Sequence, residues 1–194
     1  MKKILPFFLT FALLTSCQVS IWKPSEKHII NSQHGVMRVL SIDNPQDSIA
    51  LRKKSCRLSH QALTSPYFSR LAHGLLTTVT SPEQDGVGIA APQVGIFRRV
   101  VAVQRFDKDG APFEVYPNIR ITSHRGAPEY GPEGCLSVPK RRGTVLRYQD
   151  IDIEYTSLKT FKDTTERIRG FTAVIFQHEC DHLDGVLYID KLTD

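Results

Sequence analysis

The feature that most limits what this chain can fold into is the segment FQHECDHLDG at residues 176–185. In it, His178 and His182 flank Glu179 in a His-Glu-x-x-His pattern. Residues four apart share one face of an α-helix. The pattern therefore predicts a helix whose two imidazoles bind one metal ion, beside a glutamate that acts as acid or base. A catalytic metal site normally takes three protein ligands and keeps one position open, so another ligand must come from elsewhere in the chain.

The third ligand is expected upstream of the histidines. Only twelve residues follow His182, and they contain no histidine and no glutamate. The carboxylates there belong to Asp184, Asp190 and Asp194. A ligand so close after His182 would need the chain to fold straight back, and the last two lie on a strand-like end. Upstream, EGCLSVP at residues 133–139 contains a cysteine, Cys135, and a thiolate is a good ligand for zinc or iron.

Hydrophobic spacing along the rest of the chain predicts an α+β fold. Between residues 67 and 79 apolar residues recur three and four apart, as in an amphipathic helix, and SPEQDG ends it with Pro and Gly. Strands are predicted at residues 98–104, 113–116, 119–122 and 145–155. Residues 172–183 place the metal motif on a helix, with Gly185 at the expected stop. We therefore expect a small, mostly antiparallel-sheet domain with a helix lying against the sheet.

Composition fits one catalytic domain and gives no sign of nucleic-acid binding. The chain has 194 residues, 41% of them hydrophobic and 23% charged, as in an ordinary globular protein. The formal net charge is +5, and Lys2 and Lys3 contribute two of those charges at the N-terminus. The short basic runs at residues 52–54 and 140–142 are expected to be solvated surface. Four cysteines without a Cys-x-x-Cys pair do not form a disulfide scaffold.

The N-terminal sequence MKKILPFFLTFALLTSC has the layout of a signal peptide. Its apolar run is too short to span a bilayer comfortably, and its end resembles a bacterial lipobox, in which Cys17 is lipidated. We expect a lipoprotein-type signal peptide at residues 1–16, a polar tether at 17–35 and a catalytic domain at 36–194. The protein would then be membrane-anchored and face away from the cytosol. Alternatives are an uncleaved anchor, a buried helix, or translation from Met37, which would give a cytoplasmic protein.

Three motifs together resemble those of peptide deformylases. They are GVGIAAPQ at residues 86–93, EGCLSVP at 133–139 and QHECDHLDG at 177–185, in the family's order and at similar spacing. The resemblance runs from about Met37 to the end and includes RGTVLR at 142–147. It implies a small α+β domain in which the metal-binding helix packs within a bent antiparallel sheet. It also implies the family's reaction, removal of the formyl group from the N-terminal methionine of a peptide, with release of formate.

The resemblance assigns a task to each motif. Cys135, His178 and His182 match the ligands of one divalent metal ion, which is Fe(II) by resemblance, although zinc, nickel or cobalt also suit these donors. Such an ion lowers the pKa of water so that hydroxide exists near neutral pH. Glu179 matches the acid/base that takes the proton and hands it to the leaving amine. The Gln93 amide and the Leu136 backbone N–H match the donors that stabilise the formyl oxygen.

The resemblance also implies how a formylmethionyl peptide would bind. Val87, Gly88 and Ile89 would offer a strand edge to the peptide, and the methionine side chain would enter a pocket that includes Val174 and Ile175. Arg142 matches a family position near the substrate. The protein is expected to be a monomer. Plainer interpretations also exist: Cys135 as a small buried hydrophobe, Gln93 as a loop cap and Arg142 as a solvated charge. Cys180 is expected to pack in the core.

Two other classes of function stay open. A zinc endopeptidase shares the His-Glu-x-x-His pattern, but the missing downstream ligand argues against it. A lipid-anchored metal or peptide binder needs neither Glu179 nor Gln93, so their presence argues against that class. The chain also departs from the family: the loop at VTSPEQDG is longer than expected, and the sequence ends at YIDKLTD without the extended C-terminal helix of many members. This ending puts docking to the ribosome through such a helix in doubt.

Overall fold

The computed structural model of the protein describes residues 21–33 and 35–193. The predicted signal peptide, the predicted lipidation site Cys17 and Asp194 lie outside these residues. In chain order the elements are α1 (Pro24–Ser32), α2 (Pro45–Leu51), α3 (His60–Leu63), α4 (Pro66–Val79), β1 (Gly88–Ala90), a 3-10 turn (Ala91–Val94), β2 (Val100–Gln104), β3 (Phe113–Pro117), β4 (Arg120–Cys135), β5 (Val138–Thr156), β6 (Asp163–Arg169), α5 (Phe171–Leu183) and a second 3-10 turn (Tyr188–Asp190). Within the described ranges, no helix combines the length and apolarity needed to cross a bilayer.

The strands form two antiparallel sheets, ordered β1-β2-β3 and β4-β5-β6. In the first sheet, Gly88 pairs with Val103, so β1 is an edge strand. In the second, β4 and β5 form a long hairpin whose tip pairs Cys135 with Val138. Because β4 is also an edge strand, it needs ladder hydrogen bonds on one side only and tolerates proline. This explains why the predicted strand at 119–122 extends to Cys135 through residues that usually end a strand.

Helix α5 packs against β1, β2 and β5 and joins the two sheets. Most of its residues are buried, and they include the polar residues Gln177, Glu179 and His182 as well as apolar ones. The apolar ones meet inward-facing residues of both sheets in one apolar cluster. That cluster includes Ala90, Val101, Val103, Ile151, Ile153, Ile168, Ala173, Phe176 and Leu183. The predicted stop is confirmed: Gly185 has φ 75°, and its N–H donates to the His182 carbonyl at 3.2 Å.

The strongly periodic elements are confirmed. The helix predicted at 67–79 is α4, and the helix predicted at 172–183 is α5. The predicted strands overlap β2 to β5. The α+β class with an antiparallel sheet and a helix against it is confirmed as well. Helices α1 to α3 and strands β1 and β6 were not predicted, because each is short or mostly polar.

The prediction of a polar tether at 17–35 is wrong for residues 22–32. Trp22 and Ile30 are buried in the apolar cluster that also contains residues of α4, β1 and β2. The Trp22 indole N–H donates to the Ala62 carbonyl at 3.1 Å and to Ser65 Oγ at 2.8 Å. Helix α1 places Glu26 against Arg98, with two contacts of 2.7 Å between the guanidinium and the carboxylate. This segment is therefore part of the folded domain.

Replacing Trp22 by alanine is expected to lower the free energy of unfolding by about 3–5 kcal/mol, because a buried aromatic side chain leaves a cavity. The measurement is urea unfolding followed by circular dichroism. The matched control is Tyr130→Ala, since Tyr130 is 70% exposed; it should change stability by about 1 kcal/mol or less. A Trp22→Ala protein as stable as its parent would show that the segment adds no packing energy.

Candidate active site

A cavity of about 880 Å³ opens where β1, the β4–β5 hairpin and α5 meet. The loop before β1 and Gly88 line it, and so does the hairpin from Pro132 to Arg142. The first half of α5 forms the floor with Val174, Ile175 and His178. Three segments that are distant in sequence therefore meet at one cleft. They are the segments that contain the three motifs.

The structure brings Cys135, His178 and His182 together. Their ligand atoms all lie within 4.8 Å of one another, and Cys135 Sγ is 3.2 Å from His182 Nε2. Cys135 ends β4, whereas the two histidines lie one turn apart on α5. One thiolate and two imidazoles are a donor set that zinc and iron accept. The residues therefore fit a divalent metal ion, which Cys135, His178 and His182 would hold at the cavity that Cys135 and His178 line.

Glu133 and Arg147 orient the site, and neither was predicted from the sequence. The His178 Nδ1–H donates to Glu133 Oε2 at 2.8 Å, which leaves Nε2 for a metal. Arg147 holds the same carboxylate through contacts of 2.7 and 3.1 Å and reaches Asp181 at 2.6 Å. Burial opposes ionisation, but the hydrogen bonds from His178 and Arg147 lower the pKa of Glu133 to about 2. The available signal was the position of Glu133 two residues before Cys135.

Glu179 lies beside the proposed metal ligands, and one of its carboxylate oxygens accepts no hydrogen bond from the described residues. Its side chain is buried, and Oε2 has no hydrogen-bond partner among the described residues. Burial raises the pKa of Glu179 to about 7, whereas a cation on the neighbouring ligands would favour the carboxylate. Gly88 makes room for it, since a Cβ there would lie 2.6 Å from Glu179 Oε1. A buried carboxylate with a spare oxygen can accept and return a proton.

Gln93 is held rigidly at the other side of the cysteine. Its Oε1 accepts the Ala90 N–H at 2.8 Å, and its Nε2 donates to Ser137 Oγ at 3.2 Å and faces Cys135 Sγ at 3.6 Å. Leu136 occupies the turn after Cys135 and lines the cavity. The Gln93 amide and the Leu136 backbone thus border the same space next to the cysteine. This arrangement can place donors on an oxygen that gains negative charge there.

The chain matches the model of the polypeptide deformylase family over residues 36–194. It belongs to this family. A peptide deformylase of Leptospira biflexa is 37% identical over 166 residues, which are 81% of this chain and 88% of that protein. One from a Roseiflexus species is 33% identical and covers 81% and 89% of the two chains.

Solved deformylase structures share the fold. The class I type b enzyme of Acinetobacter baumannii, solved with Met-Ala-Ser bound, is 32% identical with a TM-score of 0.71, covering 81% of this chain and 98% of that one. The Thermotoga maritima deformylase is 29% identical with a TM-score of 0.71, covering 83% and 100%. The enzymatic function expected from the sequence, deformylation, is confirmed by these relatives.

The residues predicted for substrate binding in this deformylase divide into two groups. Gly88, Val174 and Ile175 line the cavity, as do Val87 and Arg142, which are exposed at its rim. The Ile89 side chain instead packs in the core against α4, so only its backbone can contribute to the strand edge. Cys180 is buried in the core as predicted.

Replacing Gly88 by alanine should reduce kcat/KM for a formyl peptide at least about 100-fold, because displacement of a catalytic group by an ångström costs that much. The new Cβ would lie 2.6 Å from Glu179 Oε1 and 2.8 Å from Ile175 Cγ2. The control is Gly131→Ala, where a Cβ meets nothing within 4 Å. Formate release, measured together with circular dichroism, tests the pair, and a fully active Gly88→Ala enzyme would contradict the packing described here.

Proposed function

We infer that this deformylase acts through Cys135, His178, His182 and Glu179, and that its substrates are N-formylmethionyl peptides. The observation that supports this most is the convergence of three ligand atoms within 4.8 Å next to a buried, partly unpartnered carboxylate. All these groups come from one chain, and we propose that the protein acts as a monomer. The products are formate and a peptide with a free amino group.

In the proposed mechanism, each chain residue has one task. The peptide adds to the open edge of β1, and its methionine side chain enters the space next to Val174 and Ile175. Glu179 takes a proton from water and passes it to the leaving amine. Gln93 Nε2 and the Leu136 N–H donate to the formyl oxygen as it gains negative charge. The metal ion, when bound, makes water acidic and adds positive charge at the reacting carbonyl.

We propose Fe(II) as the native ion. The thiolate and the two imidazoles accept iron, zinc, nickel or cobalt, so selection depends on availability and geometry as well as on the donors. Resemblance to the family favours iron. Metal analysis of protein purified without oxygen tests this assignment, because iron would be lost or oxidised in air, whereas zinc would persist.

The contacts of the carboxylates downstream of His182 argue against the zinc endopeptidase. Asp184 pairs with Arg99 at 2.7 Å, and Asp190 pairs with Arg52. Neither is among the ligand atoms grouped around His178 and His182 in the described residues. A metal-binding protein without catalysis would have no use for the spare Glu179 oxygen.

Replacing Glu179 by glutamine should lower kcat for formate release from formyl-Met-Ala-Ser about 10²- to 10⁴-fold, the usual contribution of a general acid or base. Metal content should stay unchanged, since Glu179 is not among the proposed ligands. Cys135→Ala should instead lose the metal. The control is Glu83→Gln, an exposed residue outside the cavity lining. Full formate-releasing activity of Glu179→Gln would contradict the acid/base role of Glu179, and metal retained by Cys135→Ala would revive the endopeptidase.

We propose that the protein is a lipoprotein anchored through Cys17 on the far side of the cytoplasmic membrane. The sequence MKKILPFFLTFALLTSC supports this, as does the use of Trp22 and Glu26, which precede Met37, in the folded domain. A polypeptide that began at Met37 would lack both contacts. An exported enzyme of this kind would meet released formyl peptides rather than chains on the ribosome.

Replacing Cys17 by serine should abolish incorporation of radiolabelled palmitate and move the protein out of the membrane fraction, because the lipid attaches to the thiol. The control is Met37→Leu, a volume-conserving change at a buried position, which should alter neither result. Loss of the protein in the Met37→Leu strain would instead show that translation starts there.

A further inference from the structure

Three consecutive cations stand at the mouth of the catalytic cavity. Lys140, Arg141 and Arg142 are exposed and line it. The register pairs Arg142 with Gly134, one residue before Cys135. The cations therefore lie within a few residues of the proposed metal ligand Cys135, on the part of the hairpin that lines the cavity. This places the basic run at residues 140–142 on the rim of the active site, and not simply on the solvated surface expected from the sequence.

Arg141 and Arg142 differ from most arginines of the protein. Across the described ranges, arginines commonly contact a carboxylate; examples are Arg38, Arg57, Arg99, Arg120 and Arg167. Neither Lys140 nor either of its arginine neighbours has an acidic side chain within 4.0 Å among residues 21–33 and 35–193. Asp85, an exposed acidic residue that also lines the cavity, makes no ion pair with them either. The positive charge of these three side chains is thus not paired within the described residues and is available to a ligand.

The backbone that presents these cations is held in place. The Tyr188 hydroxyl donates to the Arg141 carbonyl at 2.9 Å. Lys140 adopts φ 59°, a left-handed conformation that a residue with a side chain keeps only when its surroundings support it. Farther along the hairpin, the Thr193 N–H donates to the Thr144 carbonyl at 3.0 Å. The positive rim is therefore a preorganised feature, which reduces the entropic cost of engaging a ligand.

We propose that Lys140 and Arg141 recognise a carboxylate on the substrate, one to three residues after the formylmethionine. The inference rests on the proposed function, since it assumes that a formyl peptide occupies this cavity. An extended peptide advances about 3.3 Å per residue, so a second or third residue stays within reach of long side chains near Gly134. Arginine binds carboxylates through paired N–H groups. The preferred substrates are short formyl peptides that carry a free C-terminal carboxylate or an acidic side chain there.

The test compares two matched substrate pairs by kcat/KM. Formyl-Met-Ala-Ser against its carboxamide isolates the C-terminal carboxylate. Formyl-Met-Ala-Glu carboxamide against formyl-Met-Ala-Gln carboxamide isolates the acidic side chain. The wild-type protein should prefer at least one anionic partner about threefold to tenfold, the range expected for two solvent-exposed charge contacts. The pair that shows the preference identifies the source of the carboxylate. Raising the salt concentration should weaken the preference through screening.

The variant Lys140→Gln/Arg141→Gln should bring the preferred ratio close to one. Arg142 is left unchanged because resemblance already places it near the substrate. The matched control is Lys159→Gln/Lys162→Gln, which removes two exposed cations outside the cavity lining and should keep the wild-type ratio. Equal rates for both members of each pair in the wild type, or a ratio unchanged in the rim variant, would overturn the proposal.

A second readout separates this proposal from the proposed function. Calorimetric binding of Met-Ala-Ser and of its carboxamide measures the same preference without turnover. If no formyl peptide is hydrolysed, the proposed function fails, but tighter binding of the free acid that disappears in the rim variant still supports carboxylate recognition. Equal binding within this pair, and also within the pair Met-Ala-Glu carboxamide and Met-Ala-Gln carboxamide, would overturn it, whatever the enzyme's activity.

Discussion

The contact between Glu133 and His178 is the constraint on which the rest of the site depends. The proposed metal ligands come from the end of a β-hairpin and from a helix, and neither element can form the site alone. Glu133 precedes Cys135 on the hairpin, and its Oε2 accepts a hydrogen bond of 2.8 Å from His178 Nδ1. Arg147 then ties the same carboxylate to Asp181 on the helix. Glu133 therefore fixes the tautomer of His178 and, through its place on the hairpin, also the position of Cys135.

This linkage explains why the site contains a buried ionic cluster of Glu133, Arg147 and His178, although apolar side chains could also pack there. Burying charges carries a large desolvation cost, and a buried ion pair is weak evidence for stability. Glu133 and Arg147 are nevertheless both largely buried. Their value lies in geometry: they tie the hairpin that carries Cys135 to helix α5 and restrict the His178 ring to one orientation. A hydrophobic pair could join hairpin and helix, but it could not leave His178 Nε2 free for a metal.

Sequence reasoning works best here where the signal is local. Helix α5 is predictable from its spacing, and Gly185 from helix-stop chemistry. The grouping of Cys135 with the histidines needed only the spacing rule, the missing downstream ligand and the resemblance. What escaped prediction depends on long-range partners. Arg147 resembles any strand arginine until the fold brings it to Glu133.

The N-terminal segment shows the same limit more clearly. Residues 22–32 contain few apolar side chains and resemble a linker, yet Trp22 and Ile30 are buried. Glu26 is buried because Arg98 lies opposite, 72 residues away in sequence. No local pattern encodes such a pair. The segment also precedes the family match, which begins at residue 36, so the resemblance could not supply what the pattern lacked.

Trp22 has one more consequence, for how the molecule can be observed. It is the only tryptophan in the chain, and it is held by Ala62 and Ser65 with the Arg98 guanidinium 5.7 Å from its ring. It does not line the catalytic cavity. The intrinsic fluorescence of the protein is thus a built-in optical reporter of how the N-terminal segment is seated, and it is independent of whatever occupies the catalytic cleft.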